Sequence, residues 1–176
     1  SLIKSYQHWH LLLRPAQPTI GSLILISKEN IHQYSEISKE AILEQQIIIS
    51  EIEHTLKKRF DYSKINYLML MMVDPIVHFH VIPRYEQVVE FCNEEFSDEY
   101  WPNPPNLGHD IKLKETYSQE LLATFRNDFS FFDTPNSPLN KKYARMFTSG
   151  CFDIFHQGHL NIMKKTKELC DHLIVG

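Results

Sequence analysis

The order of apolar and polar positions predicts a hairpin near the start of the chain. Apolar residues recur along Trp9–Arg14 and along Ile20–Ser27, and the segment between them, Pro15–Pro18, is rich in turn-forming proline. We therefore expect two antiparallel strands joined by a short turn.

A long helix is predicted next. Ser38 is a suitable N-cap, and a helical pattern runs from it to about Phe60. The residues predicted to face the sheet recur at helical spacing: Ile42, Gln45, Ile49, Ile52 and Leu56. Because Glu51, Lys57 and Lys58 fall outside this stripe, we expect them on the outer side of a helix that packs across the sheet.

Two further strands follow the helix. The run Ile65–Met72 is apolar on both faces apart from Asn66, which is typical of a central strand. In the next strand, Val77–Tyr85, the type of side chain alternates between the two faces. One of its faces carries Val77, Phe79 and Val81, and the other carries Ile76, His78, His80 and Ile82. This spacing places two imidazoles on the same side of one strand.

The second half of the chain predicts fewer regular elements than the first. Residues 86–115 predict no regular structure, and Thr116–Phe129 predicts a short helix that buries Leu121, Leu122 and Phe125. Proline, asparagine and charge in residues 131–143 are typical of a linker. Beyond it we expect a strand, a helix and the start of a second strand, which is the opening of a βαβ unit: Ala144–Thr148, Leu160–Leu169 and Leu173–Val175.

Composition narrows the class of protein. The 176 residues carry a net charge of −4 and 43% hydrophobic residues, with lysine and arginine spread along the chain. This distribution argues against nucleic acid as a partner. The three cysteines lack zinc-like spacing and are interpreted as reduced thiols of a cytoplasmic protein, and no apolar run predicts a membrane span. The chain lacks an initiating Met and stops on a strand-like run, so we expect a fragment.

The paired histidines allow three interpretations. A neutral imidazole at His78 can attack phosphorus, and His80 can assist a leaving group or donate a hydrogen bond to a phosphoryl oxygen. Alternatively, both are ordinary polar residues on a solvated strand face. A metal site completed by the second pair, His8 and His10, is disfavoured because no carboxylate or thiol lies nearby at ligand spacing. We therefore assign no metal ligand.

The segment Ile76–Arg84 resembles the signature of the histidine triad (HIT) family, and the resemblance extends over about Trp9–Tyr85. It implies a homodimeric α+β domain with an antiparallel sheet and a long packed helix. It also implies that His78 forms a nucleotidyl-histidine at the α-phosphorus of a nucleotide or nucleotide conjugate, while His80 occupies the third position. Ile76 departs from the family in replacing the first histidine. Its carbonyl is retained, and that carbonyl can orient the ring of the nucleophile.

Three further residues receive supporting roles from the same resemblance. Asn66 is a candidate for hydrogen bonding to phosphate or ribose, with a satisfied polar group inside a strand as the alternative. Ser22 lies near the start of the expected phosphate contacts. Arg84 is interpreted either as a phosphate contact or as a surface residue. This chemistry requires no cofactor.

A second motif lies between the predicted strand and helix of the C-terminal segment. A glycine-containing turn before a helix can present backbone amides to an anion. The motif resembles the signature of cytidylyltransferase-like nucleotidyltransferases, and the residues carried over from it are Gly150, Phe152, Asp153, His156, Gly158 and His159. By this resemblance the two histidines contact a nucleoside triphosphate, with Mg²⁺ assisting in a complete domain.

The sequence thus predicts a HIT-like domain over residues 1–130, a linker over 131–143 and an incomplete, Rossmann-like nucleotidyltransferase segment over 144–176. The predicted function is nucleotide hydrolysis or nucleotidyl transfer through His78. The alternative is a nucleotide-binding module without turnover, in a parent protein whose main activity is cytidylyl or adenylyl transfer. Because one strand, one helix and a partial strand cannot bury a core, we expect no transferase activity from the C-terminal segment. The nucleobase, leaving group and acceptor are not predicted.

Overall fold

The computed structural model describes residues 1–133, 143–148, 161, 163–164 and 170–175. The chain divides into two compact units, Ser1–Ser130 and Phe131–Gly176. The first unit is α+β, as the sequence predicts. Of the helices in the described parts of the chain, none combines the length and the apolar character that crossing a bilayer requires.

The first unit is built on a five-stranded antiparallel sheet with strand order β1-β2-β3-β5-β4. A separate hairpin, β6–β7, follows the sheet. The elements in chain order are β1 (Leu2–Ser5), β2 (Trp9–Leu13), β3 (Leu23–Ser27), α1 (Lys39–Phe60), β4 (Lys64–Leu68), β5 (His78–Arg84), β6 (Val89–Phe91), β7 (Glu94–Phe96) and α2 (Glu115–Ser130).

The predicted hairpin of β2 and β3 is confirmed. Trp9 pairs with Ser27 and Leu13 pairs with Leu23 along the antiparallel register. Alternation then sends Trp9 and the other odd-numbered residues of both strands to one face, where they are buried. The indole Nε1 of Trp9 donates a hydrogen bond of 2.8 Å to the carbonyl of Ala41 in α1, so α1 packs against this face. The opposite face remains available for a site.

The helix α1 begins where the sequence predicts. The hydroxyl of Ser38 accepts a hydrogen bond of 3.1 Å from the amide of Ala41, which caps the first turn. The predicted buried stripe is partly wrong, because Ile48 is fully buried whereas Ile42 is exposed and Ile49 is half-buried. The buried side of α1 is shifted towards Ile48 and Glu51 relative to the prediction, because the chain around β1 contacts the helix there.

Glu51 is a second correction on this helix. The sequence predicts that it lies on the outer side, but its carboxylate is buried. It accepts hydrogen bonds from Tyr6 Oη at 2.6 Å and from Lys4 Nζ at 3.1 Å. A buried carboxylate is stable only with such partners, and these come from the chain around β1, a strand that the sequence pattern did not predict.

The predicted central strand is in fact an edge strand. β4 covers Lys64–Leu68 and pairs with β5 alone, so its other edge has no strand beside it among the described residues. The predicted continuation to Met72 is also wrong, since Met69–Met72 leave the sheet and the side chains of Leu70 and Met72 are exposed. The hairpin of β6 and β7 lies in a segment for which no regular structure was predicted.

Gly21 precedes β3 in a conformation that favours glycine. Its φ is +82°, and a Cβ built there would lie 2.9 Å from Cε2 of Phe60. Both the positive φ and the close approach of an aromatic ring exclude a larger residue. The end of α1 and the entry to β3 are therefore held together at this point.

The described residues of the second unit include two strands, β8 (Tyr143–Thr148) and β9 (Cys170–Val175). They pair in parallel, with Tyr143 opposite Cys170 and Thr148 opposite Val175. A parallel pair requires a crossover connection, as a βαβ unit provides. Most of the predicted linker and most of the predicted helix Leu160–Leu169 lie outside the described residues.

Candidate active site

The site is formed on the face of the sheet opposite α1. His78 and His80 project from β5 with Ile26 and Ile24 of β3 as their cross-strand neighbours. The two imidazole centroids are 5.0 Å apart and the ring planes are nearly perpendicular, at 86°. The predicted alternation of β5 therefore places both rings in contact on one surface.

A backbone hydrogen bond fixes the ring of His78. Its Nδ1 lies 2.7 Å from the carbonyl oxygen of Ile76. A carbonyl can only accept a hydrogen bond, so Nδ1 carries a proton, and in the neutral imidazole Nε2 then keeps its lone pair. The His78 side chain is buried, which further restricts its orientation. The structure thus provides an oriented imidazole with a free lone pair, although position 76 holds isoleucine.

His80 is held in its neutral form. Burial lowers its pKa below the ordinary value of 6.5, and His78 and Arg14 lower it further through their charges. Its Nδ1 is buried and has no hydrogen-bond partner among the described residues. An imidazole in this state is neutral at pH 7 and gains affinity for a proton when an anion binds beside it.

The lowered pKa of His80 has a consequence for stability. The unfolded chain binds more protons near the ordinary pKa of 6.5 than the folded chain does, so the free energy of unfolding rises with pH in this range. We expect it to decrease as the pH falls from about 7 to about 5. Burial also lowers the pKa of His10, which adds to the same trend.

The measurement is urea denaturation at several pH values for the wild-type protein and His80→Gln. The variant should show a weaker dependence on pH across this range. His32→Gln, which changes an exposed histidine, serves as the control and should follow the wild type. Equal slopes for His80→Gln and the wild type would contradict the expectation.

A cavity of about 410 Å³ opens beside the two histidines. Its wall on the sheet is aliphatic and includes Leu12, Ile24 and Ile26, and residues 70–73, which follow β4, form the other apolar wall. Polar side chains enter at a few points only, which is typical of sites for small organic ligands. Besides the histidines, these are Arg14 and Asp74.

Two of the predicted supporting residues are engaged with each other. Arg84 is buried and its Nε lies 2.6 Å from Oδ2 of Asp98, while its Nη1 donates to Oδ1 of Asn66 at 3.2 Å. Its Nη2 bonds to the carbonyl of Asn103 at 2.9 Å. The surface alternative for Arg84 is therefore wrong. The cavity lining includes neither Arg84 nor Asn66.

Ser22 is also buried. Its hydroxyl donates to the carbonyl of Thr19 at 2.7 Å, and its amide donates to the side-chain oxygen of Gln17 at 2.9 Å. These contacts stabilise the turn before β3, and Ser22 is not part of the cavity lining. The structure thus brings the two histidines to the cavity, with the other three predicted residues in the surrounding packing.

Arg14 and Asp74 are the polar residues of the cavity that the sequence analysis missed. Arg14 follows β2 directly, on the same face as Leu12, and lines the cavity together with His80. The signal was available in the sequence, because His10, Leu12 and Arg14 alternate with buried apolar residues on β2. Asp74 and the apolar residues 70–73 could not be assigned in this way, because they leave the sheet.

The second histidine pair does not extend the site. His10 lies on β2, with Ile26 of β3 between it and His78. His8 Nδ1 lies 3.5 Å from Oε1 of Glu29. Across residues 1–133 and the other described positions, no three histidine, cysteine, aspartate or glutamate residues are grouped so as to hold a metal ion.

The C-terminal motif falls in the part of the chain that is not described. The six residues carried over from the nucleotidyltransferase signature lie outside the described residues: Gly150, Phe152, Asp153, His156, Gly158 and His159.

Solved structures similar to the chain are HIT proteins. A histidine triad protein from Marinobacter aquaeolei superposes with a TM-score of 0.61 and 18% identity, covering 74% of this chain and 88% of its own. Diadenosine triphosphate hydrolase from Plasmodium falciparum superposes with a TM-score of 0.52 and 11% identity, covering 77% and 78%. At these identities the comparison shows that the first unit has the HIT fold.

The C-terminal residues match a different group. A family model described as cytidylyltransferase-like matches residues 147–176. The bifunctional protein HldE from a Nitratiruptor species is 47% identical over 53 residues, which are 30% of this chain and 12% of that protein. The chain thus spans a small part of this relative's length. It combines a HIT fold with a cytidylyltransferase-like segment.

Proposed function

From a HIT fold that presents an oriented imidazole beside a cavity, we propose that the chain hydrolyses or transfers nucleotides at the α-phosphorus. The substrate is a nucleotide ester, anhydride or phosphoramidate. His78 is the nucleophile and His80 assists the leaving group. The observation that carries the proposal is the 2.7 Å hydrogen bond between His78 Nδ1 and the carbonyl of Ile76, because it leaves Nε2 free to attack.

The reaction proceeds in two steps. In the first, Nε2 of His78 forms a bond to the α-phosphorus and the bond from phosphorus to the leaving atom breaks. The negative charge of the bound phosphate raises the pKa of His80, which takes up a proton with the substrate and passes it to the leaving atom. In the second, water or another acceptor attacks the same phosphorus, its proton goes to His80, and the bond between phosphorus and Nε2 breaks.

A trapping experiment tests this proposal. Wild-type protein is incubated with a nucleoside 5′-phosphoramidate, or with a dinucleoside polyphosphate, labelled at the α-phosphorus, and is then quenched rapidly. We expect acid-labile label on the wild-type protein and on the control His54→Ala, whose histidine is exposed on α1, and none on His78→Ala. Equal labelling of His78→Ala, or no label and no product from the wild type, would overturn the proposal.

A second candidate function is nucleotide binding without turnover. The observation that favours it is Ile76, which removes one imidazole from the triad. In this case the main activity of the parent protein is cytidylyl or adenylyl transfer to a phosphorylated substrate by the cytidylyltransferase-like region with Mg²⁺, and residues 144–176 alone have no such activity. Isothermal titration calorimetry separates the two candidates. Binding of nucleotide with no product after long incubation supports the second, and product supports the first.

We also propose that the first unit forms a homodimer through β4 and α1. β4 is an edge strand, and Tyr67 on it reaches Glu53 of α1 at 3.3 Å, so the strand edge and the outer side of α1 adjoin. That side carries Ile42, which is exposed, and Ile49, which is half-buried. An unpaired edge beside exposed apolar side chains is a surface that a second copy can cover.

The variant Ile42→Glu should convert the dimer to a monomer, because association would bury two unpaired carboxylates. Light scattering coupled to size-exclusion chromatography measures the mass, which should fall by about half, since a dimer has twice the monomer mass. Leu2→Glu, at the opposite edge of the sheet, is the control and should remain dimeric. A wild-type monomer would contradict the proposal.

A further inference from the structure

The backbone just before β5 carries the carbonyl that orients the His78 ring. That oxygen belongs to the peptide between Ile76 and Val77, and it accepts the hydrogen bond of 2.7 Å from His78 Nδ1. The N–H of the same peptide, contributed by Val77, donates to the carbonyl of Ile31 at 3.2 Å. A peptide unit is planar, so the bond to Ile31 restrains this plane. A single hydrogen bond still allows the plane to rotate about the axis of that bond.

Asp74 restrains the neighbouring peptide. Its Oδ1 accepts a hydrogen bond of 3.0 Å from the N–H of Ile76, which belongs to the peptide between Pro75 and Ile76. The two peptides that flank the Cα of Ile76 are therefore each held by a hydrogen bond, to Asp74 on one side and to Ile31 on the other. Because the torsions φ and ψ of a residue relate the planes on its two sides, these two bonds together determine where the Ile76 carbonyl points.

Packing contributes little to the position of this segment. The side chains of Met72 and Val73 are 85% and 100% exposed, and Asp74 and Pro75 are exposed as well. Buried side chains hold a segment in place through many close contacts, and this exposed run lacks most of them. The restraint on the Ile76 carbonyl therefore depends largely on hydrogen bonds, and Asp74 provides the acceptor on the side that packing leaves free.

We propose that Asp74 is a positioning residue for the nucleophile. Its side-chain oxygen holds the peptide before Ile76, the Ile76 carbonyl keeps a proton of His78 on Nδ1, and Nε2 stays directed at the α-phosphorus. The inference rests on the proposed function, in which His78 attacks phosphorus. Asp74 acts through the geometry of a short acceptor and not through its charge, since a negative charge in the cavity lining opposes the binding of phosphate.

Three substitutions separate the acceptor from the charge. Asp74→Asn keeps a side-chain oxygen at the same distance from the backbone and removes the charge. Asp74→Glu keeps the charge but lengthens the side chain, and a turn closed on the backbone two residues further on suits the shorter side chains of Asp and Asn. Asp74→Ala removes both acceptor and charge. We expect Asp74→Ala and Asp74→Glu to lower kcat about 10-fold, as loss of one hydrogen bond predicts, and Asp74→Asn to restore most of that rate.

Measuring KM together with kcat distinguishes positioning from substrate binding. Loss of a group that only orients the nucleophile lowers kcat and should leave KM within about 3-fold of the wild-type value. Glu86→Ala is the control and should match the wild type, because Glu86 is exposed and is not part of the cavity lining. If Asp74→Asn loses as much activity as Asp74→Ala, or if Asp74→Glu keeps the wild-type kcat, the inference is overturned.

An NMR measurement tests the same inference without turnover. In protein that contains isotope-labelled histidine, the chemical shifts of the two ring nitrogens report which one carries the proton in the neutral ring. His78 should carry it on Nδ1 in the wild type and in Asp74→Asn, and should shift towards the Nε2–H form in Asp74→Ala. The ring of His54, which is exposed on α1, should be the same in all three proteins. His78→Gln assigns the signal.

The NMR result separates failure of this inference from failure of the proposed function. If Asp74→Ala changes the His78 tautomer but no substrate is cleaved, the positioning role stands and the proposed function fails. A wild-type His78 protonated on Nε2, or an unchanged tautomer in Asp74→Ala, overturns the inference whether or not substrate is cleaved. Circular dichroism confirms that Asp74→Ala is folded, and Asp74→Glu replaces it in this measurement if it is not.

Discussion

Replacement of His78 by alanine is expected to lower kcat for cleavage at the α-phosphorus by at least about 10³-fold. The change removes the nucleophilic Nε2 and leaves the apolar walls of the cavity in place. Because those walls contribute to binding in the ground state, KM should change much less than kcat. His80→Ala should lower kcat by about 10²- to 10⁴-fold, the range for a general acid or base.

Steady-state and single-turnover rates measure both effects. Single-turnover data separate formation of the nucleotidyl-histidine from its hydrolysis, and His78→Ala should form no such intermediate. The matched control is His54→Ala, which should retain the wild-type rate because His54 is exposed on α1. If His78→Ala keeps more than one tenth of the wild-type kcat, His78 is not the nucleophile.

The second large effect is expected at the buried ion pair of Arg84 and Asp98. Asp98→Ala should lower the free energy of unfolding of the first unit by about 3–5 kcal/mol, because it leaves a buried guanidinium without its counter-ion. The same carboxylate also accepts hydrogen bonds from the amides of Tyr85 and Tyr100, at 3.3 and 3.2 Å. These amides lose their acceptor as well.

Urea denaturation followed by tryptophan fluorescence, to which the fully buried Trp9 contributes, measures this loss. Asp128→Ala is the matched control. It breaks the ion pair with Arg59, a residue that is 39% exposed, and should cost about 1 kcal/mol or less. The double variant Arg84→Met/Asp98→Leu should recover much of the stability, since both charges are then removed. A loss at Asp98 no larger than at Asp128 would contradict the expectation.

The sequence predicted those parts of the fold that depend on local chemistry. The start of α1 follows from Ser38, whose hydroxyl caps the helix, and the β2–β3 hairpin follows from alternation around a proline-rich turn. The alternation of β5 likewise predicted that His78 and His80 share a face. Each of these features depends on residues close together in the chain.

The wrong predictions concern contacts between distant segments. Glu51 is buried because Lys4 and Tyr6, more than 40 positions earlier, provide its partners. β4 lies at the edge of the sheet because β3 pairs with β5, an order that the strand pattern does not reveal. An apolar strand is typical of a central position, but it also suits an edge that a second copy covers.

In the candidate site, too, local features were predicted and contacts between distant segments were not. The histidines were predicted from their spacing. The alternation along β2 likewise indicated which face Arg14 is on, but the cavity that it lines depends on β3, β5 and residues 70–74. Arg84 follows the histidines in the sequence and resembled a phosphate contact. Its side chain is instead engaged by Asp98, which no local pattern could indicate.

Because the carbonyl of Ile76 orients the His78 ring, the first position of the triad has to provide only a main-chain oxygen. Every amino acid brings a main-chain oxygen, so the orientation of the His78 ring depends on the path of the backbone and not on the side chain at position 76. That position is consequently open to chemical variation. It could carry an isotopic or fluorescent reporter next to the reaction centre, and a motif search that demands three imidazoles would pass over chains of this kind.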